Sequence, residues 1–122
     1  MEAIARVRNL RGSARKARLV IDLIRGKSVP EAQKILALSR QKAAYHIRKL
    51  LNAAIANAQQ KEAHVNIEEL YVSRAFADQG PVMKRTRPRA QGRATLIRKQ
   101  TCHITLEISD KEEEGVDNGS ES

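Results

Sequence analysis

Between Asp78 and Glu107 the chain carries no acidic side chain and seven basic ones: Lys84, Arg85, Arg87, Arg89, Arg93, Arg98 and Lys99. This run constrains folding more than any other feature of the sequence. Its apolar residues between Asp78 and Arg98 are too few for a core, and its like charges repel when the chain is compact. Gly80-Pro81 and the Pro88/Gly92 pair mark turns or bends. A structureless loop of about twenty residues is unusual inside a compact domain. Ala94, Leu96 and Arg98 instead continue a strand-like alternation. The segment therefore reads as a long hairpin arm over residues 78–98, with its tip near Arg87 to Gly92, ordered by what it touches. At ~3.3 Å per residue, about ten residues out and ten back would reach roughly 30 Å.

A second basic concentration opens the chain: Arg6, Arg8, Arg11, Arg15, Lys16, Arg18, Arg25 and Lys27, set against only Glu2 and Asp22. Charge is unevenly spread. The formal net charge of the 122 residues is +9, but seven of the 14 acids fall at or after Glu107. The preceding residues hold 22 bases against 7 acids, a body charge of +15. Cationic density of this kind calls for a polyanion, and nucleic acid is the first candidate. The stretch from Lys111 to Ser122 has only Val116 as an apolar residue and cannot repay the entropy of ordering, which predicts a solvated, acidic, disordered tail. The expected organisation is one folded unit over residues 1–110, arm included, followed by the tail 111–122.

The body alternates between periods of two and 3.6. Ala3 to Arg8 suits a short half-buried strand. Ser13 is a good N-cap for a helix to about Arg25, with Ala17, Val20, Ile21 and Ile24 inward, Gly26 as its stop, and N–H groups at its start that suit a phosphate. Pro30 fits the first turn of a second helix, and Ser39 is the expected cap of a third, running from Arg40 to about Lys61 on an alanine-rich stripe. Ile67, Leu70 and Val72 lead into an imperfect alternation through Phe76, read as a strand. Cys102, Ile104, Leu106 and Ile108 against Thr101, His103, Thr105 and Glu107 predict a last antiparallel strand with one wet side. Aromatics are 2% of the chain (Tyr45, Tyr71 and Phe76), so the core must be built from Ala, Ile, Leu and Val.

Tests for chemistry come back negative. Gly26-Lys27-Ser28 looks like the end of a phosphate-binding P-loop, but Ile21 stands where that motif needs glycine. Cys102 and His103 are adjacent on a strand and point to opposite faces. No Cys/His cluster has zinc spacing, and no pair of carboxylates in the body is spaced for acid/base work. The expectation is a protein that is not an enzyme, with no cofactor, no metal and no small-molecule substrate. No apolar stretch approaches the ~20 residues needed to span a bilayer, so no membrane partner is expected. Residues 30–52 look like a helix-turn-helix DNA reader, which is the alternative reading; it leaves both basic clusters unexplained. With three aromatics, base-stacking readout is weakly supported. Backbone and shape recognition of folded RNA by Arg and Lys is what remains.

Several motifs also resemble a known family, that of bacterial large-subunit ribosomal protein twenty-two. They are Ser13 to Lys27 (SARKARLVIDLIRGK), Ala53 to Ala58 (AAIANA), Met83-Lys84-Arg85 with Arg87 to Arg93 (RPRAQGR), and Thr101 to Leu106 (TCHITL). In order, they extend over nearly everything from Glu2 to Asp110. The resemblance implies an α+β fold with three helices on a small three-stranded antiparallel sheet and a long protruding β-hairpin. It implies a cytoplasmic location in the large ribosomal subunit, bacterial or organellar, with 23S rRNA, neighbouring large-subunit proteins and the nascent polypeptide as partners. The tunnel-lining tip carried over by position is Lys84, Arg85, Arg87, Pro88, Arg89, Ala90, Gln91, Gly92 and Arg93, close to where macrolide antibiotics bind. The acidic extension after Asp110 departs from the family pattern.

Overall fold

A computed structural model describes residues 1–88, 92 and 94–110. The order of elements is β1 (Glu2–Arg11), α1 (Ala14–Ile24), α2 (Val29–Leu38), α3 (Lys42–Lys61), a 3-10 turn (Ile67–Glu69), β2 (Tyr71–Gln79), β3 (Met83–Pro88), β4 (Ala94–Lys99) and β5 (Thr101–Ser109). β1, β5 and β2 form an antiparallel sheet with β5 in the centre, and β3 pairs with β4. This is the expected α+β arrangement, three helices on three strands with a hairpin inserted before the last strand.

Local chemistry explains the boundaries. The Ser13 hydroxyl accepts from the Lys16 N–H and Ser28 does the same for Glu31, so α1 and α2 each begin at a side-chain cap. α1 ends because Gly26 adopts φ +81°, a conformation that other residues resist. The third helix starts later than its sequence suggests. Ser39 accepts from the Gln41 N–H, making a turn two residues on, and α3 begins at Lys42 without a side-chain cap. The alternation in β2 is imperfect because the register slips between Val72 and Arg74, so Val72, Ala75 and Ala77 all face the core. A similar slip between Val7 and Leu10 puts Asn9 at φ +56° with its N–H donating to His103 Nδ1 at 3.1 Å.

The helices cover one face of the sheet. Ala3, Ala5, Ala75 and Ala77 on the strands and Ala14, Ala17, Ala44, Ala54 and Ala58 on the helices are all buried. Small residues on both sides let backbones approach, and longer side chains then reach the strands themselves. On the β1 edge, Asn57 Nδ2 donates to the Ile4 carbonyl at 3.0 Å and Lys61 Nζ to the Glu2 carbonyl at 2.6 Å. On the β2 edge, Arg25 Nε and Nη2 donate to the Ala75 carbonyl at 3.1 and 2.7 Å, and Arg18 Nε donates to the Ala77 carbonyl at 2.9 Å. Residues 26–29 complete that edge through Gly26, Lys27 and Val29 backbone bonds to Val72 and Leu70. Both edges are thereby closed to further strands.

One expectation is met in part. On the outer face of β5 His103 and Thr105 are half-buried, but Thr101 is 2% exposed, Glu107 7% and Ser109 5%. The reason is position, since neighbours on both sides shade a central strand. The Glu107 carboxylate accepts from Ser73 Oγ at 3.3 Å and lies 3.9 Å from Arg74 Nε.

Beyond the sheet the pairing continues into the hairpin. Gln79 faces Cys102, Gly80 N–H donates to the Thr101 carbonyl, and the next ladder runs from Met83 opposite Lys99 to Pro88 opposite Ala94. Six residues per strand extend about 20 Å. Gly80 sits at the junction under steric demand: a Cβ there would lie 2.6 Å from Thr101 Oγ1, which is itself fixed by donating to the Pro81 carbonyl at 2.6 Å.

Two outcomes are expected in urea denaturation. Gly80→Ala should lose about 1–3 kcal/mol, the usual range for overpacking a filled site; a midpoint equal to that of the parent chain would show that Thr101 gives way freely. The double change Arg18→Ala with Arg25→Ala should lose on the order of 1–3 kcal/mol from the partly exposed hydrogen bonds to the β2 edge. Unaltered stability would mean that those arginines do not close the edge.

Candidate nucleic-acid interface

Where β1 ends, α1 and α3 begin and β4 passes into β5, an open-sided cleft of about 610 Å³ is lined by residues from all five elements and the turns between them. Its cations are Arg11, Lys16, Lys42, Arg98 and Lys99, with His46 beside them and no carboxylate among the lining residues. The elements meet there for reasons already given: the Gly12 N–H donates to the Gln100 carbonyl at 3.0 Å, tying the end of β1 to the root of the hairpin. A second cleft of about 560 Å³ shares Ser13, Lys16 and Gln100 with the first and adds Arg15 and Arg18, again without an acid. Together they make a basic track on both sides of the start of α1. Cys102 lies under the first cleft but is 1% exposed, and burial pushes its thiol pKa up, so it stays a neutral core side chain.

The track unites residues from both linear clusters: Arg11, Arg15, Lys16 and Arg18 from the N-terminal run, and Arg98 and Lys99 from the hairpin. Other candidates lie elsewhere. Arg6 is exposed on the uncovered face of the sheet opposite Thr105, with Phe76 on the other side of that threonine, and Arg8 and Lys27 are exposed outside both clefts. Arg25 is committed to the fold, since Nε and Nη2 serve the Ala75 carbonyl and Nη1 pairs with Asp22 at 2.7 Å. Arg18 uses only Nε on the strand, leaving its terminal nitrogens to face the track.

In the hairpin, Lys84 is exposed, the backbones of Arg85, Arg87 and Pro88 lie in β3, and Gly92 takes φ +77° at the turn. Arg89, Ala90, Gln91 and Arg93, and the tail over residues 111–122, lie outside the described residues.

Two lining residues escaped the sequence reading. Lys42 and His46 stand four apart on α3, inside a stretch between Glu31 and Glu62 that has no acidic side chain and holds Lys34, Arg40, Lys42, Arg48, Lys49 and Lys61, a third and sparser basic run beside the two clusters above. His46 is held edge-on to the Tyr45 ring, with centroids 5.3 Å apart, and Lys49 Nζ lies 5.0 Å from the same ring. Only the packing of α3 beside α1 shows that they belong to the cleft. Among the described residues, no group of three or more His, Cys, Asp or Glu side chains could hold a metal ion, and no helix is long and apolar enough to cross a membrane.

Comparison with known proteins fits this arrangement. The family model described as Ribosomal protein L22p/L17e matches residues 5–109, which run from within β1 to the end of β5. The large ribosomal subunit protein uL22 of Halothermothrix orenii is 54% identical over 113 residues, covering 93% of this chain and 99% of the relative. Its counterpart in Syntrophotalea carbinolica is 51% identical over 111 residues, covering 91% and 100%. Identity of this order along almost the whole of both chains, together with the family match, establishes that the chain belongs to the Ribosomal protein L22p/L17e family.

Proposed function

We propose that this chain is a non-enzymatic structural component of the large ribosomal subunit in the bacterial cytoplasm, that it binds 23S rRNA and assists subunit assembly, and that its hairpin lines the nascent-peptide exit tunnel. The observation that carries the reading is the acid-free basic track, which brings bases from opposite ends of the sequence onto one surface at the root of the hairpin. Phosphates are the anions that such a surface can neutralise in number, and Arg and Lys contacts to them fix position and orientation without reading sequence. The names of the relatives support the subunit assignment.

The hairpin supports the tunnel assignment by its construction. Its two strands pair the inward half of each other's backbone groups, and the outward half are left for solvent or RNA to satisfy. Its seven bases then suit a passage walled by RNA. In this role the body anchors the protein at the subunit surface beside neighbouring ribosomal proteins, and the tip meets the emerging polypeptide, near the macrolide site. The helix-turn-helix alternative is less well supported: of the cations lining the two clefts only Lys42 comes from residues 30–52, and the others come from β1, α1 and the hairpin.

Sucrose-gradient sedimentation of a lysate should show the chain in stoichiometric amount with the large subunit and still there after a high-salt wash. Migration as a free protein or with chromosomal DNA would refute the assignment. Replacing Arg87, Arg89 and Arg93 together by Ala should lower the salt slope of rRNA binding by roughly 0.7–0.9 for each phosphate that is no longer neutralised. An unchanged slope would remove those three residues from the interface.

A further inference from the structure

We propose that the cleft at the hairpin root seats the backbone of one RNA strand, gripped at the same time by Lys42 and His46 of α3, by Arg11 and Lys16 at the start of α1, and by Arg98 and Lys99 of the hairpin. This rests on the reading of the chain as an rRNA binder, and adds to it a specific seat and two ligands from a helix that neither basic cluster includes. Three observations carry it. The lining holds five cations and a histidine with no carboxylate, so nothing inside the cleft neutralises them. Half-buried Leu10 and Ala43 add apolar surface to the lining, which a sugar or base can cover and a lone inorganic anion cannot. The volume, about 610 Å³, lies among those of sites that enclose small organic molecules, ~300–1,000 Å³, and exceeds the need of a single phosphate.

The second cleft decides between a strand and an isolated nucleotide. It continues past Ser13, Lys16 and Gln100 to Arg15 and Arg18, giving a connected strand a place for its next phosphate. The starts of α1 and α3 both line the first cleft and add partial positive charge from their N–H groups. His46 is oriented by its edge-on contact with Tyr45 and supplies a ring N–H donor. Because the hairpin root and the body share one strand, seating that strand fixes the direction in which the hairpin leaves the body.

The test is filter binding of the full chain to deproteinised 23S rRNA across a series of salt concentrations. Lys42→Gln should lower the salt slope by roughly 1. His46→Ala should weaken binding roughly two- to tenfold, the loss of one hydrogen bond. Lys34→Gln, an exposed change on α2 outside both clefts, should leave binding unchanged. Lys42→Gln combined with Lys99→Gln should lose less than the product of the two single losses, because both act on one strand.

If the parent chain binds with a steep slope while Lys42→Gln and His46→Ala behave like it, the seat is wrong and the wider rRNA reading stands. If the parent chain shows no salt-dependent binding, the wider reading fails with it. Equal retention of polyglutamate, with the same dependence on Lys42, would reassign the cleft to an acidic peptide. Circular dichroism of each variant separates these outcomes from loss of fold.

Discussion

A three-stranded sheet with helices on one face has two open edges, and closing them is the constraint on which the remainder of this molecule depends. α3 closes one edge with Asn57 and Lys61 on the carbonyls of β1, and α1 closes the other with Arg18 and Arg25 on the carbonyls of β2. These bonds do more than block aggregation. They tie two helices on the same face to opposite edges of the sheet, and so help to set where their first turns stand. The basic cleft is built from those first turns. Edge closure and the gathering of cations are therefore two results of one placement.

The scarcity of large side chains makes this placement possible. With alanines at Ala3, Ala5, Ala54 and Ala58, the third helix comes close enough to β1 for an asparagine to reach strand backbone. The hairpin is a two-stranded ribbon whose backbones pair with each other, and Gly80 with Thr101 forms a tight joint between it and the sheet.

Most of the fold was legible in the sequence because amphipathic periods and caps are local signals. Ser13, Gly26 and Pro30 marked their boundaries correctly, and the acid-free run identified the hairpin. Ser39 misled, since a serine that can cap a helix can equally close a turn just ahead of one. The wet face expected for the last strand was only half realised, because strand order, which alternation cannot reveal, places β5 in the centre: Thr101 and Glu107 are shaded while His103 and Thr105 stay half-buried. The interface was half legible. The two dense basic clusters contain Arg11, Lys16, Arg98 and Lys99; Lys42 lies in the sparser acid-free run between Glu31 and Glu62, and tertiary packing brings it and His46 beside the others. Linear charge density also made Arg25 look like a nucleic-acid ligand when its guanidinium is held by β2 and Asp22.

The cations of the body converge on the root of the hairpin, and in the function proposed above RNA bound there both anchors the chain and aims the arm. Residue-resolved ultraviolet crosslinking of the chain within purified large ribosomal subunits, read by mass spectrometry, tests this most directly. The account requires RNA adducts concentrated at Arg11, Lys16, Lys42, Arg98 and Lys99 and along β3 and β4. Adducts confined to other surfaces, with the cleft unlabelled, would contradict it.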